Sequence, residues 1–346
     1  MRDQRKSVLL TGGAGFIGSH LAEALLRRGS RLAIVDNFDP FYDYHLKKAN
    51  LEASARVGSY EFYAVDICNK AQLSQIMTVH RPEVVIHLAA CVGVRPSIRQ
   101  PHWYEQVNVA GTLNLLELCR EFHVDKFIFG SSSSVYGATD RAPFSEKQSE
   151  LRPLSPYAAT KLAGEMMAYT YAQLFRLQVI CLRFFTVYGP RQRPDLAIRK
   201  FTALIEEGKP LPIFGDGSTA RDYTHVSDIV AGILASLDYS FKVPSDCAPF
   251  EVFNLGNSHA VKLTELIELL ETVTGHKAIC EWRPPQPGDS PVTWADISKA
   301  SHLLGYRPAT SLEEGLASFV NWYRDVAPVW APTAHTAVDS VQNALG

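Results

Sequence analysis

Three features of the sequence predict an α/β fold, a doubly wound parallel sheet with a smaller C-terminal lobe. Short apolar runs alternate with helix-forming stretches across residues 1–185, the order of parallel strands joined by right-handed crossovers. Polar residues that suit a binding site follow the ends of those runs, beyond which such sheets bind ligands. Over residues 186–327 the alternation becomes irregular, which predicts the second lobe, and residues 328–346 are expected to be a flexible tail.

The composition is that of an ordinary globular protein and excludes several classes of function. The chain has 346 residues, of which 46% are hydrophobic and 20% charged, and its formal net charge is -2. This balance offers no electrostatic attraction to nucleic acid or to an anionic membrane, and no stretch has the pattern of a signal peptide or a membrane-spanning helix. The six cysteines are scattered, without a CxxC pair or a His/Cys cluster. We therefore expect a cytoplasmic protein without a metal site.

The first predicted strand, over residues 8–10, runs into a glycine-rich turn and then into a helix over residues 19–26. The turn has the spacing GxxGxxG. Its glycines allow the backbone to approach a pyrophosphate, whose negative charge suits the free amides of a helix N-terminus. Such turns also occur for steric reasons, so the motif needs support from the residues that follow. The positions that it assigns to a dinucleotide cofactor are Gly12, Gly15, Phe16, Ile17 and Gly18.

An acidic residue after the second strand narrows the identity of the cofactor. The run over residues 31–35 ends at Asp36, near the position of the acid that binds the adenine ribose hydroxyls in dinucleotide folds. An acid there repels a 2′-phosphate, and the next residues, Asn37 and Phe38, supply no arginine to receive one. The sequence therefore favours NAD over NADP, with Asn37 beside Asp36 at the site.

The next two strand ends supply further cofactor candidates. Asp66 follows the third run, over residues 60–65, and is interpreted either as a ligand of the adenine amino group or as a helix cap. The fourth run ends in small residues that let a cofactor lie across the sheet, and His87 within it is interpreted as a packed strand residue. The candidates at these two strand ends are Asp66, Ile67, Leu88, Ala89 and Ala90.

The remaining pattern continues the alternation as far as residue 185 and then loosens. It predicts a helix over 101–123, a fifth strand over 125–130 that opens into serines 131–134, a helix from residue 156 and a sixth strand over 177–185. A further strand near 252–255 is expected to return to the sheet. In the irregular part, helices are predicted over 200–207, 228–237 and 263–274, and a turn over 212–217.

A tyrosine and a lysine at the start of the helix from residue 156 form the candidate catalytic pair. Tyr157 and Lys161 are four residues apart and point from one face of the helix. Free tyrosine has a pKa of about 10, and a nearby ammonium together with the positive nicotinamide ring of NAD would lower it. A drop of about three units corresponds to about 4 kcal/mol and requires a partly desolvated site. The tyrosinate would accept a hydroxyl proton while hydride passes to NAD, with a serine of the 131–134 run bonded to the same hydroxyl.

These motifs together resemble the extended short-chain dehydrogenase/reductases, and among them the nucleotide-sugar 4-epimerases. The matching stretches are TGGAGFIG, VDNF, DI, HLAA, SSSSVYG, SPYAATK, RFFTVYGPRQRPD, PIFGDGSTARDYTHVSDI and QPGD, with a further match over residues 304–323. The resemblance implies a Rossmann domain over residues 1–185 that binds NAD and a lobe over 186–327 that binds a UDP-sugar. It also implies a homodimer formed through the helices over 101–123 and 157–175.

The resemblance assigns a role to each catalytic candidate. It makes Tyr157 the base, Lys161 its activator and ribose ligand, and Ser132 the partner of the substrate hydroxyl, with Ser133 as the fallback. It adds Asn108 and Ser131 to the residues that contact the cofactor. The reaction implied is oxidation of the sugar at C4 followed by reduction on the other face, so that NAD is regenerated in each cycle.

The resemblance also suggests which sugar is bound. Family members that eliminate water or carbon dioxide usually carry an acid just before VYG, where this chain has Ser134, and galactose-type epimerases usually carry Asn at the position of Thr186. The stretches FYDYHLKKA, FTVYGPRQRPD and QPGD resemble the UDP-glucuronate 4-epimerases. A sugar carboxylate suits the forked donor of an arginine, for which Arg193 is the first candidate, followed by Arg191 and Arg95.

The other substrate contacts follow from the same resemblance, and two alternative functions stay open. Arg221 is expected to meet the diphosphate, Ile213 and Phe214 the uracil, and Asp289 a ribose hydroxyl, while Thr186 faces the sugar. One alternative is a 4-epimerase of UDP-glucose or UDP-N-acetylglucosamine. The other is a non-catalytic regulator that binds NAD, against which the intact Tyr157 and Lys161 argue.

Overall fold

The larger part of the molecule is a parallel sheet of seven strands. A computed structural model describes residues 6–137, 139, 142–244, 249–284 and 292–326. The strands of the described residues, in all sheets of the molecule, are β1 (Ser7–Thr11), β2 (Arg31–Val35), β3 (Glu61–Tyr63), β4 (Val84–His87), β5 (Lys126–Ser132), β6 (Gln178–Phe184), β7 (Thr186–Tyr188), β8 (Pro210–Phe214), β9 (Ala220–His225), β10 (Phe250–Leu255), β11 (Ala260–Lys262) and β12 (Ile279–Arg283). The sheet order is β10-β6-β5-β4-β1-β2-β3, and every neighbouring pair is parallel.

Helices cover both faces of this sheet. The α-helices of the described residues, in both parts of the molecule, are α1 (Phe16–Arg27), α2 (Tyr44–Val57), α3 (Lys70–His80), α4 (Val94–Arg99), α5 (Pro101–Glu105), α6 (Gly111–Glu121), α7 (Pro156–Phe175), α8 (Ala197–Glu206), α9 (Val226–Lys242), α10 (Leu263–Thr274), α11 (Ser298–Leu304) and α12 (Leu312–Val326). On one face α1 and α9 bury apolar side chains such as Leu21 and Ile233. On the other, α3, α6 and α7 contribute Leu73, Leu115 and Ala168. The predicted doubly wound sheet is therefore confirmed.

A smaller lobe is built from chain that follows Thr186. It contains a three-stranded sheet in the order β11-β9-β7 and a two-stranded sheet of β12 and β8. Tyr188, Phe201, Leu266 and Phe319 form its apolar core with α8, α10 and α12. The chain between these pieces returns to the larger sheet, because α9 packs on that sheet and β10 pairs with β6 as its edge strand.

Two details differ from the pattern read in the sequence. The segment predicted as a turn over 212–217 begins as strand β8, which pairs with β12 in parallel, and the turn follows at Gly215 and Gly217, both with positive φ. Prolines at the edge of a two-stranded sheet leave its pairing intact. The single helix predicted over 101–123 is divided by a π-helical turn over Gln106–Ala110, a feature that sequence periodicity does not reveal.

Candidate active site

The glycine turn after β1 is shaped by close backbone contacts. Gly12 has a φ of +73°, and a Cβ on it would lie 2.7 Å from the backbone nitrogen of Ala89. A Cβ on Gly18 would collide with the carbonyl oxygen of Gly12. Gly15 is the N-cap of α1 and has no side chain to bond the first amides of the helix. These amides are therefore available to an anionic group, as the motif predicts.

Asp36 lies at the end of β2 and faces the same turn. Its carboxylate accepts hydrogen bonds from the backbone amides of Ala14, at 3.1 Å, and Phe38, at 2.9 Å. Burial raises the pKa of this carboxyl, and the charge of Lys47 opposes that effect. Asp36 thus fixes the glycine turn from the strand end at which the adenine ribose is predicted.

Asp66 and Asn37 meet at the next strand end. The Asn37 side-chain amide donates to Asp66 Oδ2 at 2.9 Å, and Asp66 Oδ1 accepts the backbone amide of Cys68 at 2.8 Å. The alternative interpretation of Asp66 as a helix cap is wrong, because Asn69 is the N-cap of α3. Ile67, beside it, is buried. Asp66 remains a candidate for the adenine amino group, together with Asn37.

The segment after β4 is held by two buried polar residues. His87 lies between the hydroxyls of Thr11, at 2.7 Å, and Thr112, at 3.0 Å, and burial lowers its pKa to about 3, which confirms it as a packed strand residue. The Asn108 side chain bonds both backbone groups of Cys91 and the Thr160 hydroxyl. Asn108 therefore fastens the segment that carries Leu88, Ala89 and Ala90 against α7.

The end of β5 and the first turns of α7 bring the catalytic candidates together. Ser132 lies near Tyr157, and its hydroxyl accepts the Ser134 amide at 3.1 Å. Ser155 caps α7 by accepting the Ala158 amide at 3.2 Å. Lys161, one turn beyond Tyr157, is buried. The sequence spacing thus places a tyrosine, a serine and a lysine at one sheet edge.

Burial dominates the electrostatics of this pair. It raises the pKa of the Tyr157 phenol, while the Ser132 side chain and the charge of Arg193 lower it. It also lowers the pKa of Lys161 to about 8. The Lys161 ammonium donates to the Gly130 carbonyl oxygen at 2.7 Å, and its expected effect on the pKa of Tyr157 stays a prediction.

Arg193 lies beside Tyr157 although it belongs to the loop between β7 and α8. Its Nε and Nη2 donate to the two carboxylate oxygens of Asp195 at 2.9 and 2.8 Å. Its guanidinium also stacks on the Phe41 ring, with 5.5 Å to the ring centroid. Phe41 is one of the residues in the stretch FYDYHLKKA. This contact gives a physical reason for the stretch FYDYHLKKA and the loop that carries Arg193 to occur together in one sequence, since the first supplies the ring on which the second stacks its guanidinium.

The other two arginines proposed for the sugar carboxylate have different surroundings. Arg191 forms a 2.5 Å ion pair with Glu23 of α1 and bonds the Ser19 hydroxyl at 3.4 Å. The neighbouring carbonyl of Pro190 bonds His20 of the same helix. Arg191 therefore anchors the loop to α1, and it is a weaker candidate than Arg193. Arg95 lies over the Phe214 ring, at 5.5 Å from its centroid.

The remaining substrate candidates lie around the edge of the smaller lobe. Thr186 begins β7 and pairs with Tyr223 of β9. Ile213 is fully buried in the lobe core, whereas Phe214 is partly exposed. A cleft between the lobe and the sheet edge is lined by residues that include Val94, Ser133, Ser134, Gly137, Leu154 and Arg221. Asp289 lies outside the described residues.

Four residues near the site were missed by sequence reasoning. Phe41 and Asp195 contact Arg193 from positions that no spacing rule connects with it. Glu165 and Arg183 form a buried ion pair behind the catalytic residues. A signal for this pair existed, since Arg183 interrupts the apolar strand β6 and a buried charge requires a partner. Ser131, proposed as a cofactor contact, donates its hydroxyl to Glu165 at 2.6 Å.

The described residues fit a dinucleotide and give no sign of a metal centre. The glycine turn has no space for a Cβ at Gly12, and no side chain caps the first amides of α1. Asp36, Asn37 and Asp66 follow at the carboxyl ends of the next strands of the sheet. Within the described ranges, no group of three or more His, Cys, Asp or Glu residues could hold a metal ion. In the same ranges no helix is long and apolar enough to cross a membrane.

Comparison with known proteins agrees with this geometry. Residues 9–319 match the family model for GDP-mannose 4,6 dehydratase. The UDP-glucuronate 4-epimerase of Thermodesulfobacterium geofontis is 43% identical over 318 residues, which are 92% of this chain and 96% of that one.

Solved structures with bound ligands share the fold. The UDP-glucuronic acid 4-epimerase from Bacillus cereus, in complex with UDP-glucuronic acid and NAD, matches with a TM-score of 0.85 and 39% identity, over 92% of this chain and 99% of that one. The UDP-glucose 4-epimerase of Thermotoga maritima with UDP-glucose matches with a TM-score of 0.82 and 34% identity, over 92% and 99% of the two chains. The chain therefore belongs to the GDP-mannose 4,6 dehydratase family, and it shares its fold with nucleotide-sugar 4-epimerases of that kind.

Proposed function

We propose that the protein is an NAD-dependent UDP-glucuronate 4-epimerase, which converts UDP-glucuronate to UDP-galacturonate through a transient 4-keto sugar. The observation that carries this proposal is the setting of Arg193 in the loop after β7, where Asp195 and the Phe41 ring fix its guanidinium and where its charge acts on the catalytic candidate Tyr157. An arginine fork in this loop can hold the carboxylate of the sugar. The sequence similarity to UDP-glucuronate 4-epimerases supports the same substrate.

Proton transfer at the C4 hydroxyl is assigned to Tyr157. Its phenol accepts the proton as C4 is oxidised and returns it as C4 is reduced, and Ser132, which lies near Tyr157, is assigned to bond the same substrate hydroxyl. The described side chains leave the pKa of Tyr157 raised by burial, so the phenolate requires an additional positive charge. Bound NAD supplies that charge through its oxidised nicotinamide, together with an acceptor for the C4 hydride.

Cofactor binding is assigned to the sheet edge. The amides at the start of α1 suit the pyrophosphate, and Asp36 suits the adenine ribose, while its acidic side chain repels a 2′-phosphate. Lys161 is placed to bond the second ribose, because its Nζ lies at the end of β5, one turn from Tyr157. We do not expect this chain to remove water from the sugar, because Ser134 occupies the position at which eliminating members of the family carry an acid.

The choice of sugar is assigned to Arg193, with Thr186 and Ser133 on the other sides of the ring. Arg95 and Phe214 stack on each other and, with Arg221, mark the path of the nucleotide toward the lobe. One observation favours a second candidate, a UDP-glucose or UDP-N-acetylglucosamine 4-epimerase. Asp195 already occupies two nitrogens of the Arg193 guanidinium, and a neutral sugar would leave that ion pair undisturbed.

We also propose that the protein is a cytoplasmic homodimer. Large apolar side chains are exposed on the outer faces of α5, α6 and α7, the helices expected at the interface, and they are Trp103, Leu113, Met166 and Tyr169. Neighbouring exposed apolar residues of this kind are typical of an interaction surface. The five described cysteines are all free, which fits a reducing compartment. Light scattering at micromolar concentration should give twice the chain mass, and a monomer would contradict the dimer.

The experiment that tests the function is incubation of the purified protein with UDP-glucuronate and no added NAD. Chromatography should detect UDP-galacturonate, and protein denatured after purification should release NAD. The Tyr157→Phe variant is the matched control, since it removes one hydroxyl and should form product at least about 100-fold more slowly. Turnover of UDP-glucose with none of UDP-glucuronate would support the second candidate instead, and accumulation of NADH with stoichiometric added NAD would contradict both.

A further inference from the structure

A second polar cluster lies behind the catalytic pair, between α7 and the sheet. Glu165 is fully buried, and its carboxylate accepts the Ser131 hydroxyl at 2.6 Å. The same carboxylate accepts Nε of Arg183 at 2.9 Å and Nη2 at 2.7 Å. Removing both charges from water is costly, yet the proton transfer assigned to Tyr157 and Lys161 does not use them directly.

The cluster continues a row of contacts between α7 and β5. Three side chains spaced four residues apart on α7 meet three consecutive residues at the end of β5. Lys161 donates to the Gly130 carbonyl oxygen, Glu165 accepts the Ser131 hydroxyl, and Tyr157 lies near Ser132. Because all three are made by one rigid helix, a change in its register against β5 would loosen the two catalytic contacts together.

Glu165 also supplies the negative charge that acts on Lys161. Burial lowers the pKa of Lys161 to about 8, and the charge of Glu165 raises it against that effect. The titratable groups that face Lys161 from other elements are uncharged at neutral pH. Burial lowers the pKa of His87 on β4, and it raises the pKa of the Cys91 thiol after β4 and of the Cys181 thiol on β6.

We propose that Glu165 is a positioning residue for the epimerase, which holds α7 in register with β5 through Ser131 and sets its carboxylate one helical turn from Lys161. The inference rests on the proposed function, because it assumes that Lys161 must be charged during catalysis. Arg183 has the supporting role of pairing with the buried carboxylate, and its guanidinium lies 4.7 Å from the centroid of the Tyr136 ring.

The test is the pH dependence of kcat for Glu165→Gln, which keeps the size of the side chain and removes its charge. Without the carboxylate, the protonated form of Lys161 loses its stabilising partner. The basic limb of the kcat profile should therefore move to lower pH by about one unit, since an opposite charge on a neighbouring side chain shifts a pKa by that order. The KM for UDP-glucuronate should stay within about twofold of the wild type on the plateau, because Glu165 does not reach the substrate.

Two further variants distinguish the effect of the Glu165 charge from the effect of the position of α7 on β5. One of them also keeps the test usable if Glu165→Gln does not fold. Ser131→Ala keeps the carboxylate and its ion pair, so its basic limb should stay at the wild-type pH while kcat falls at every pH. Glu165→Gln leaves Arg183 buried without its partner, which can prevent folding. The double variant Glu165→Gln/Arg183→Met removes both charges, and its limb should move in the same direction by less.

Nitrogen NMR of protein labelled at its lysines measures the pKa of Lys161 directly and does not depend on catalytic turnover. The Lys161 signal, identified by its loss in Lys161→Met, should titrate at lower pH in the folded variants that lack the carboxylate. A titration at the wild-type pH in those variants overturns the inference. An enzyme that is inactive on UDP-glucuronate contradicts the proposed function instead, and this measurement still decides the effect of Glu165 on Lys161.

Discussion

The catalytic pair and the sugar-facing arginine are held in place in two different ways. Tyr157 and Lys161 lie on a long helix, and their polar contacts are with the buried end of the adjacent strand β5. Arg193 lies in a loop, and its contacts are with Asp195 two residues away and with Phe41 from the loop after β2.

This difference separates the chemistry of the enzyme from its choice of sugar. The groups that move the proton are fixed by the packing of the sheet, so they depend on the whole fold. The group that selects the sugar depends on a few side chains of two surface loops, which can change while the sheet stays intact. Variants in the two regions should therefore alter different kinetic parameters.

The largest effect is expected for Tyr157→Phe, which removes the phenolic hydroxyl of the catalytic pair on α7. Loss of the only transferable proton at C4 should lower kcat by roughly 10²- to 10⁴-fold on UDP-glucuronate and UDP-glucose alike. NAD content should remain nearly that of the wild type, because the phenyl ring keeps its position on α7. Turnover near the wild-type rate would mean that another group is the base.

A smaller effect, confined to one substrate, is expected for Arg193→Ala. Hydrogen bonds to a charged group contribute about 1.5–3 kcal/mol, so kcat/KM for UDP-glucuronate should fall roughly 10- to 150-fold. Binding of UDP, which has no carboxylate on a sugar, should change little. Competition between UDP-glucuronate and UDP-glucose measures the preference directly, and equal discrimination by wild type and variant would remove Arg193 from the sugar site.

The smallest effect is expected for Phe41→Leu, which keeps an apolar side chain beneath Arg193 but removes the aromatic ring. A cation–π contact at a partly exposed site is worth about 0.5–1 kcal/mol. The KM for UDP-glucuronate should therefore rise about two- to fivefold, with kinetics on UDP-glucose unchanged. A similar rise in KM for both substrates would mean that Phe41 does not act through the carboxylate of the sugar.

The two regions also differ in how far the sequence predicted them. Periodicity located the strands of the large sheet, because buried parallel strands form continuous apolar runs. The strand Pro210–Phe214 was predicted as a turn, since its prolines and the glycines after it outweigh its apolar residues in a local reading. Its pairing with Ile279–Arg283 is a tertiary contact that no local pattern contains.

At the site, residue spacing predicted which groups meet but not how they are oriented. The four-residue spacing correctly placed Tyr157 and Lys161 on one helical face. Whether the ammonium reaches the phenol or the Gly130 carbonyl depends on the distance between α7 and β5, which spacing does not fix. The contact of Phe41 with Arg193 joins loops that are distant in sequence, so only the folded chain reveals it.

The most direct test of the account is the fate of hydrogen at C4. UDP-glucuronate deuterated at C4 is incubated with the purified enzyme in ordinary water, without added NAD. The account predicts UDP-galacturonate that keeps its deuterium at C4, because the hydrogen removed from one face of the sugar is returned to the other face within the same closed cycle. Loss of the label to water, or product formation only when NAD is added in stoichiometric amount, would contradict it.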